Sequence, residues 1–280
     1  MKKVLIIGAS GLIGSHVGQF FSKKTTVYKT AIHTKSSSFM PLDISKPNSV
    51  NTVIKKIQPT HIFLPAAITL VDYCESHPKE TALVNEYGVE NILSAMKTLP
   101  NPVMLIFFST NYVFPGRENL YTEKDRPYPI NEYGKQKLAA ELLIHKSGIK
   151  HIIVRTSEVF GWESQQKNFV AKLIYENSLG KKRLVPNDQY GCPTYVDNLV
   201  EILNELIDKN CQGIFNIVGK TMLNRYTFAM KIANIFDLNT KLITGVPTSM
   251  LPSKTKRPLK VGLSIEKIEQ IISTPILSAE

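Results

Sequence analysis

The sequence predicts an α/β protein with a doubly wound parallel sheet and a smaller lobe towards the C-terminus. Two observations predict the sheet: short, wholly apolar runs recur along the first half of the chain, and stretches with helical periodicity separate them. Runs that are apolar throughout are typical of parallel strands covered by helices on both faces. The alternation of strand and helix implies right-handed crossovers. A third observation, a weaker pattern after about residue 160, predicts the lobe.

The elements follow from these runs in chain order. Strands are predicted at 2–9, 26–33, 61–67, 103–110, 151–157 and 213–219. Helices are predicted at 11–24, 49–58, 79–99, 132–148, 168–182 and 225–238. We expect the core to span 1–160 with a returning segment at about 191–220, and the smaller lobe to comprise 161–190 and 221–280.

Composition narrows the classes of partner. The formal net charge is +11, but the lysines are dispersed and no aromatic-interleaved basic motif occurs, so we expect no nucleic-acid partner. A solvated surface and attraction of anionic nucleotides remain as alternatives. No apolar run reaches the ~18–20 residues that span a membrane, so no membrane partner is expected. The three cysteines lack metal or disulfide spacing, which predicts no metal site and a reducing, cytoplasmic location.

The glycine-rich stretch "IIGASGLIG" lies between the first predicted strand and the first predicted helix. It contains Gly8, Gly11 and Gly14. Glycine permits a tight turn and the close approach of a pyrophosphate, while the helix N-terminus supplies free N–H groups. Because the motif follows an opening strand and begins a helix, it predicts a dinucleotide site in the core.

The residues after the second strand favour NADP(H) over NAD(H). NAD-binding proteins place an acidic residue about 20 residues after the glycines, and this chain has none there. His33, Lys35 and nearby serines would hold a 2′-phosphate, although Lys35 is equally compatible with an ordinary surface lysine. Asp43 would accept a hydrogen bond from the adenine amino group, or would cap the following helix.

Tyr133 and Lys137 in "NEYGKQK" share one helix face because they are four residues apart. A free phenol has a pKa near ~10, and a neighbouring ammonium or an oxidised nicotinamide favours its ionised form. A positioned phenol can pass a proton to a carbonyl oxygen while hydride reaches the carbon. Ser109 and Thr110 end the fourth strand, where ligands bind in such sheets, so we expect free hydroxyls there. A loop cap is the alternative for Thr110.

Taken in order, these segments resemble the extended short-chain dehydrogenase/reductase family. The matching segments are "GASGLIG", "AAITLVDYCE", "STNYVFPG", "NEYGKQKLAAE", "RTSEVFG" and "NDQYGCPTYVDNL". The nearest subgroup is that of the dTDP-4-dehydrorhamnose reductases, and the regulatory β-subunit of methionine adenosyltransferase is a related branch. The resemblance covers roughly residues 1–270 and implies a Rossmann core with a substrate-binding lobe.

The resemblance implies a role for each matching position. Thr110 would orient the substrate, Tyr133 would be the catalytic acid, and Lys137 would bind the nicotinamide ribose and lower the pKa of the tyrosine. The cofactor-binding residues expected from the motifs and the resemblance are Gly8, Ser10, Gly11, Leu12, Ile13, His33, Lys35, Asp43, Ile44, Ala66, Ala67, Tyr133 and Lys137. The expected substrate-binding residues are Thr69, Val71, Tyr112, Glu158, Gln189 and Arg257.

Several positions depart from the family pattern. Pro65 stands where the family often has asparagine, and Asn111 stands where it often has aspartate. Glu158 replaces a tryptophan that would stack near the sugar, and Lys260 and Val261 replace a polar pair. The last changes lie on the substrate side, so the resemblance indicates the reaction class better than the sugar.

The function expected from the sequence is an NADPH-dependent reductase of a nucleotide-linked 4-keto-6-deoxysugar. Hydride would reach C4, Tyr133 would supply the proton, and Arg257 and Lys260 are candidates for the diphosphate. Two alternatives stay open. One is a nucleotide-sugar epimerase or epimerase/reductase, with Glu158 as an added base. The other is a non-catalytic NADP-binding regulatory subunit. A homodimer is also implied by the resemblance, and the sequence does not decide it.

Overall fold

A computed structural model describes residues 2–32, 36–117, 120–253 and 255–279. Its strands, in chain order, are β1 (Lys3–Ile7), β2 (Thr26–Ala31), β3 (Met40–Pro41), β4 (His61–Leu64), β5 (Met104–Thr110), β6 (Leu120–Tyr121), β7 (His151–Thr156), β8 (Val159–Phe160), β9 (Arg183–Pro186), β10 (Tyr190–Gly191), β11 (Thr194–Tyr195), β12 (Gly213–Asn216), β13 (Leu223–Asn224), β14 (Ile243–Val246) and β15 (Gly262–Leu263). Its α-helices are α1 (Leu12–Ser22), α2 (Pro47–Ile57), α3 (Val71–Ser76), α4 (Pro78–Asn85), α5 (Tyr87–Lys97), α6 (Glu132–Lys146), α7 (Phe169–Ser178), α8 (Val196–Asp208), α9 (Arg225–Ile235) and α10 (Glu266–Glu269). Short 3-10 helices cover Asn111–Val113, Thr240–Leu242 and Thr248–Met250.

The central sheet of the described chain has seven strands in the order β12-β7-β5-β4-β1-β2-β3. Every neighbouring pair in it runs parallel. The order reverses direction at β1, which lies between β2 and β4, and ligands bind beyond the carboxyl ends of the strands at such a point. The parallel pairing confirms the predicted doubly wound fold.

The side chains of β1 show why its apolar run is continuous. Val4 and Ile6 pack in one hydrophobic cluster with α1 and α8, while Leu5 and Ile7 pack in a second cluster with α2 and α5. Successive residues of a strand face opposite sides of the sheet, so a sheet covered on both sides needs apolar residues at every position. All four side chains are at most 1% exposed.

The long helix predicted at 79–99 is wrong, because the structure has two helices there. α4 ends and α5 begins around Glu86, whose φ and ψ are −119° and −67°. The two halves meet different partners. Asn85 at the end of α4 donates to the Gln136 side chain of α6 over 2.9 Å. Gly88 of α5 lies against Ile44, and an added Cβ would come within 2.8 Å of it. A single straight helix over these residues would not make both contacts.

The smaller lobe has its own apolar cluster. Leu173, Val185, Phe228, Ile232 and Ile243 pack there, from α7, β9, α9 and the start of β14. β9 and β14 pair in parallel, and β12 returns to the central sheet beside β7. The returning strand agrees with the expected segment at 191–220. The domain boundaries stay a prediction.

The C-terminal segment packs against both the core and the lobe cluster, because Ala279 packs against the lobe cluster. Ile268 and Ile276 lie in the same cluster as Val4 and Ile6 of β1. Within the described ranges, no helix is both long enough and apolar enough to span a membrane.

Candidate active site

A cavity of about 780 Å³ opens at the carboxyl ends of β4, β5 and β7. Thr110 reaches it from the end of β5, and Tyr133 and Lys137 reach it from the first turns of α6. Glu158 follows β7, and Arg257 comes from the C-terminal segment. The cavity therefore lies at the edge of the sheet where ligands bind in open α/β folds, between the core and the C-terminal residues.

The start of α6 fixes Tyr133 beside the end of β5. The Asn131 side chain caps the helix and accepts from the Gly134 N–H over 2.9 Å. Gly134 leaves no Cβ in the way, so the helix lies against the backbone carbonyl of Tyr112. Tyr133 and Thr110 line the same cavity, and the Thr110 side chain is near enough to the phenol to lower its pKa. The structure therefore brings together the phenol and the hydroxyl that the sequence paired.

The electrostatics of Tyr133 differ from the sequence expectation. Burial raises the pKa of the Tyr133 phenol above its ordinary value of 10.0, and the nearby Thr110 side chain only partly opposes this. We expected Lys137 to favour the phenolate. Loss of water around the charged form outweighs such effects in the free protein. Tyr133 therefore keeps its proton at neutral pH, which suits a proton donor.

Lys137 is one of the most deeply buried side chains, with 2% exposed. Its Nζ lies 3.9 Å from the centre of the Phe107 ring. Burial lowers the pKa of the Lys137 amine from 10.5 to about 7, and the nearby Glu141 carboxylate opposes that shift. The amine therefore changes charge close to neutral pH.

Ser109 does not offer the free hydroxyl expected from the sequence. Its hydroxyl donates a hydrogen bond to Glu141 Oε1 over 2.5 Å. Glu141 also forms a buried ion pair with Arg155, whose Nη2 lies 2.7 Å from Glu141 Oε2. The expectation for Ser109 is wrong because this buried carboxylate requires donors. The loop-cap alternative for Thr110 is confirmed, since its hydroxyl accepts from the Tyr112 N–H over 3.2 Å and caps the 3-10 helix that follows it.

The glycines of the loop allow its backbone to pack closely. Gly8 has φ +95°, and a Cβ there would come within 2.8 Å of the Ala66 backbone. A Cβ on Gly14 would lie 2.8 Å from Ala9 Cα. Gly11 caps α1 without a side-chain hydrogen bond, and no acidic residue occupies the first turn. The backbone N–H groups at this helix start thus fit the phosphates of a dinucleotide.

The other expected cofactor positions around this loop are placed as follows. Ser10 is exposed, and its carbonyl accepts from Gln165 Nε2 over 2.7 Å. Leu12 begins α1. Ile13 and Ala67 line the cavity. The Ala66 N–H donates to the carbonyl of Ile7 over 3.0 Å, which holds the β4 loop against the glycine loop.

Asp43 follows β3 and does not cap a helix. Its Oδ1 accepts from the Ser45 N–H and hydroxyl over 2.9 and 2.6 Å, and the N-cap of α2 is Lys46. The helix-cap alternative is therefore wrong, and the adenine contact stays a prediction. Ile44 is buried in the apolar core, 5% exposed. His33 and Lys35 lie outside the described residues.

The expected substrate residues all line the cavity: Thr69, Val71, Tyr112, Glu158, Gln189 and Arg257. Arg257 is already paired, since its Nη2 lies 2.9 and 2.8 Å from the two carboxylate oxygens of Asp72. Gln189 donates to the Thr248 hydroxyl over 3.0 Å. Lys260 is exposed and is not part of the cavity wall.

The structure adds two residues to which the sequence gave no functional role. Arg225 lines the cavity and forms an ion pair with Glu158. Burial raises the pKa of the Glu158 carboxyl, and Arg225 opposes this. Asn111 donates to the Ser157 hydroxyl over 3.0 Å and to the Val261 carbonyl over 3.2 Å. These contacts join residues far apart in the chain, so motif spacing gave no signal for them.

Comparisons with known proteins agree with this arrangement. The chain matches the RmlD substrate binding domain over residues 1–278. It is 30% identical to the dTDP-4-dehydrorhamnose reductase of Salmonella typhimurium, with 95% of this chain and 91% of that protein covered. It is 24% identical to methionine adenosyltransferase 2 subunit beta of Bos taurus, with 96% and 82% covered.

Solved structures also resemble the chain over its full length. One of them is dTDP-4-dehydrorhamnose reductase from Bacillus anthracis in complex with NADP. The TM-score is 0.89 at 28% identity, and the alignment covers 100% of this chain and 96% of the other. Likeness over the full length means that the core and the lobe are both shared.

Proposed function

Because the chain belongs to the RmlD substrate binding domain family, we propose that it reduces the 4-keto group of a dTDP-linked 6-deoxysugar with NADPH. The observation that carries this proposal is the single cavity that holds Thr110, Tyr133 and Lys137 at the carboxyl edge of the sheet. The reductases among its relatives and the NADP complex of the Bacillus anthracis structure support the same reaction and cofactor.

Tyr133 acts as the proton donor in this proposal. Bound NADPH supplies hydride to C4 of the sugar. Tyr133, kept protonated by burial, gives its proton to the oxygen on that carbon, and the Thr110 hydroxyl orients the same oxygen. The developing negative charge on the oxygen makes the transfer favourable although the free phenol is a weak acid.

Lys137 acts on the cofactor side. Its amine lies one helical turn beyond Tyr133, and the ammonium form would donate to the ribose hydroxyls and stabilise negative charge on Tyr133 after proton transfer. Gly8, Gly11 and Gly14 would hold the pyrophosphate through the start of α1.

The substrate diphosphate would bind near Arg257. Asp72 already holds that guanidinium. The diphosphate would therefore either displace the Asp72 carboxylate or bind the guanidinium together with it. Thr69, Val71, Tyr112 and Gln189 would surround the rest of the nucleotide sugar. A homodimer, a cytoplasmic location and the lack of a nucleic-acid partner stay predictions.

The test is a titration with NADPH and NADH followed by addition of dTDP-4-dehydrorhamnose. We expect tighter binding of NADPH and its oxidation once the sugar is added. Cofactor binding with no oxidation would contradict the reductase proposal. In that case a stable complex with a second enzyme would favour a regulatory subunit, the class to which the bovine relative belongs by name.

A further inference from the structure

An ion pair lies in the wall of the same cavity, apart from the proton donor. Arg225 Nη2 lies 3.4 Å from Glu158 Oε1, and both residues line the cavity. Only 16% of the Glu158 side chain and 27% of the Arg225 side chain are exposed. Two opposite charges are thus withdrawn from most of their water where a substrate would lie.

The pair is incompletely hydrogen-bonded. Glu158 Oε2 and Arg225 Nε are buried and have no hydrogen-bond partner in the described protein. The single contact at 3.4 Å is long for two charged groups, which usually approach within ~2.7–2.9 Å. A buried ion pair is favourable only when further hydrogen bonds complete it. The ion pair that lines the cavity therefore lacks the hydrogen bonds that would complete it inside the protein.

The backbone holds Glu158 in an uncommon conformation. Its φ is +46°, in the left-handed region that residues other than glycine rarely adopt. Gly191 faces it, and a Cβ on that glycine would lie 3.1 Å from Glu158 Cδ. Strained residues of this kind cluster at functional sites, and the glycine makes room for the carboxyl group.

The pair lies at the same edge of the sheet as Thr110. Thr110 and Thr156 are opposite each other at the ends of β5 and β7, and Glu158 follows two residues later. The bond from Asn111 to Ser157 holds these two strand ends together. Glu158 is therefore on the same edge as the hydroxyl that would orient the reacting oxygen.

We propose that Glu158 and Arg225 form a subsite for a ring hydroxyl of the substrate sugar. The hydroxyl donates to the carboxylate and accepts from the guanidinium at the partly exposed, long contact between Glu158 Oε1 and Arg225 Nη2, so it adds a hydrogen bond to each member of the pair. A deoxy analogue, which has a hydrogen atom in place of this hydroxyl, forms neither of these hydrogen bonds. The protein then selects sugars that carry this hydroxyl over their deoxy analogues. This inference rests on the proposed nucleotide-sugar function.

The test compares the dissociation constants of dTDP-glucose, its 2-deoxy and 3-deoxy analogues, and dTDP alone. Calorimetric titrations would use the whole chain with NADP present. The main variant is Glu158→Leu with Arg225→Met, because removal of both charges leaves neither one buried and unpaired. Glu158→Gln is the milder variant. Glu90→Gln, on the exposed side of α5, is the matched control.

We expect the unmodified protein and the control to bind at least one deoxy analogue roughly tenfold or more weakly than dTDP-glucose. In the double variant, the ratio of the dissociation constant of the deoxy analogue to that of dTDP-glucose should fall below about threefold. The affinity for dTDP alone should change little. If the double variant does not fold, Glu158→Gln should still lower the ratio at least about threefold, because a neutral amide is a weaker acceptor than a carboxylate.

Two results would overturn the inference. The first is a ratio that the folded variants leave unchanged, and the second is the lack of any preference in the unmodified protein. Failure of the unmodified protein to bind dTDP or any dTDP-sugar is distinguishable from both. That result would overturn the proposed function, and this inference with it.

Discussion

Tyr133 is the residue on which the proposed chemistry most depends. Tyr133→Phe keeps the ring and removes the proton, so we expect kcat to fall by about 10²–10⁴-fold with NADPH affinity nearly unchanged. Tyr112→Phe is the matched control, since Tyr112 lines the same cavity with its ring 6.0 Å from that of Tyr133. Steady-state kinetics and NADPH fluorescence would measure both effects. An equal loss in the two variants would argue against the donor role.

Lys137 illustrates a conflict between stability and function. Burial lowers the pKa of its amine to about 7, whereas an unfolded chain has it near ~10.4. Between these two pKa values the unfolded state binds more protons than the folded state. The free energy of unfolding therefore rises with pH from about 7 to 10. Below about pH 7 the buried ammonium lowers the free energy of unfolding by its full amount.

Lys137→Met should therefore increase the free energy of unfolding by about 1–3 kcal/mol at pH 7 and by little near pH 10, while it removes activity. Urea unfolding at several pH values would measure the gain. Lys135→Met, on the exposed side of the same helix, is the control and should change the free energy by less than about 0.5 kcal/mol. A destabilised Lys137→Met at pH 7 would refute the burial argument.

At the scale of single residues, the sequence located the reacting groups but not their environment. Helical spacing was enough to place Tyr133 and Lys137 on one face. The direction of the Tyr133 pKa shift was missed, because its burial depends on tertiary neighbours from other elements. The role of Ser109 was missed because its partner Glu141 is itself positioned by Arg155 from another strand.

Two glycines at the start of α1 are expected to serve different purposes: Gly14 allows close packing, and Gly11 leaves space for the proposed cofactor. Gly14→Ala would force its Cβ against the Gly8 carbonyl, so we expect a loss of about 1–3 kcal/mol in the free energy of unfolding. The nearest atom to a Cβ at Gly11 would be the Gly8 carbonyl oxygen at 3.7 Å, an ordinary contact.

Gly11→Ala is therefore the matched variant, and its stability should change by less than about 1 kcal/mol. It should still bind NADPH at least about tenfold more weakly, because the new methyl group occupies the approach of the pyrophosphate. Denaturant unfolding and NADPH titration would test both. Unchanged NADPH affinity in a folded Gly11→Ala variant would contradict the placement of the cofactor.

At the scale of elements, the sequence predicted which helices and strands exist better than it predicted where they begin and end. Buried strands such as β5 were predictable because an unbroken run of apolar residues, Met104–Phe108 in this strand, makes up most of their length. The break between α4 and α5 has no glycine or proline at Glu86 to signal it, and it follows from tertiary contacts on both sides. The two-residue strands that pair across the lobe were also absent from the sequence prediction, since pairs so short have no periodicity.

For the whole molecule, the net charge of +11 suggests that long-range attraction assists binding of anionic ligands. Ionic strength raised from about 0.02 M to 0.3 M shortens the Debye length to well under ~10 Å. The KM values for NADPH and for the nucleotide sugar should then rise about 2–10-fold while kcat changes less. Initial rates across a salt series would show this. Salt-independent KM values would place the excess charge away from the cavity.

The arrangement of the whole chain was predictable only in part. Alternating strands and helices predicted the sheet, and the weaker pattern after about residue 160 predicted the lobe. The ion pair of Arg225 with Glu158 was not predictable, because it joins the start of α9 to the end of β7. The proposed hydroxyl subsite depends on this contact between core and lobe, which sequence spacing does not contain.

The most direct test of the central claim is the fate of the transferred hydrogen. NADPH deuterated at the transferable C4 position of the nicotinamide would be incubated with the protein and dTDP-4-dehydrorhamnose, and the sugar product would be examined by NMR. The account predicts one deuterium at C4 of the sugar and oxidation of one equivalent of NADPH. A product without deuterium at C4, or no product at all with NADPH bound, would contradict it.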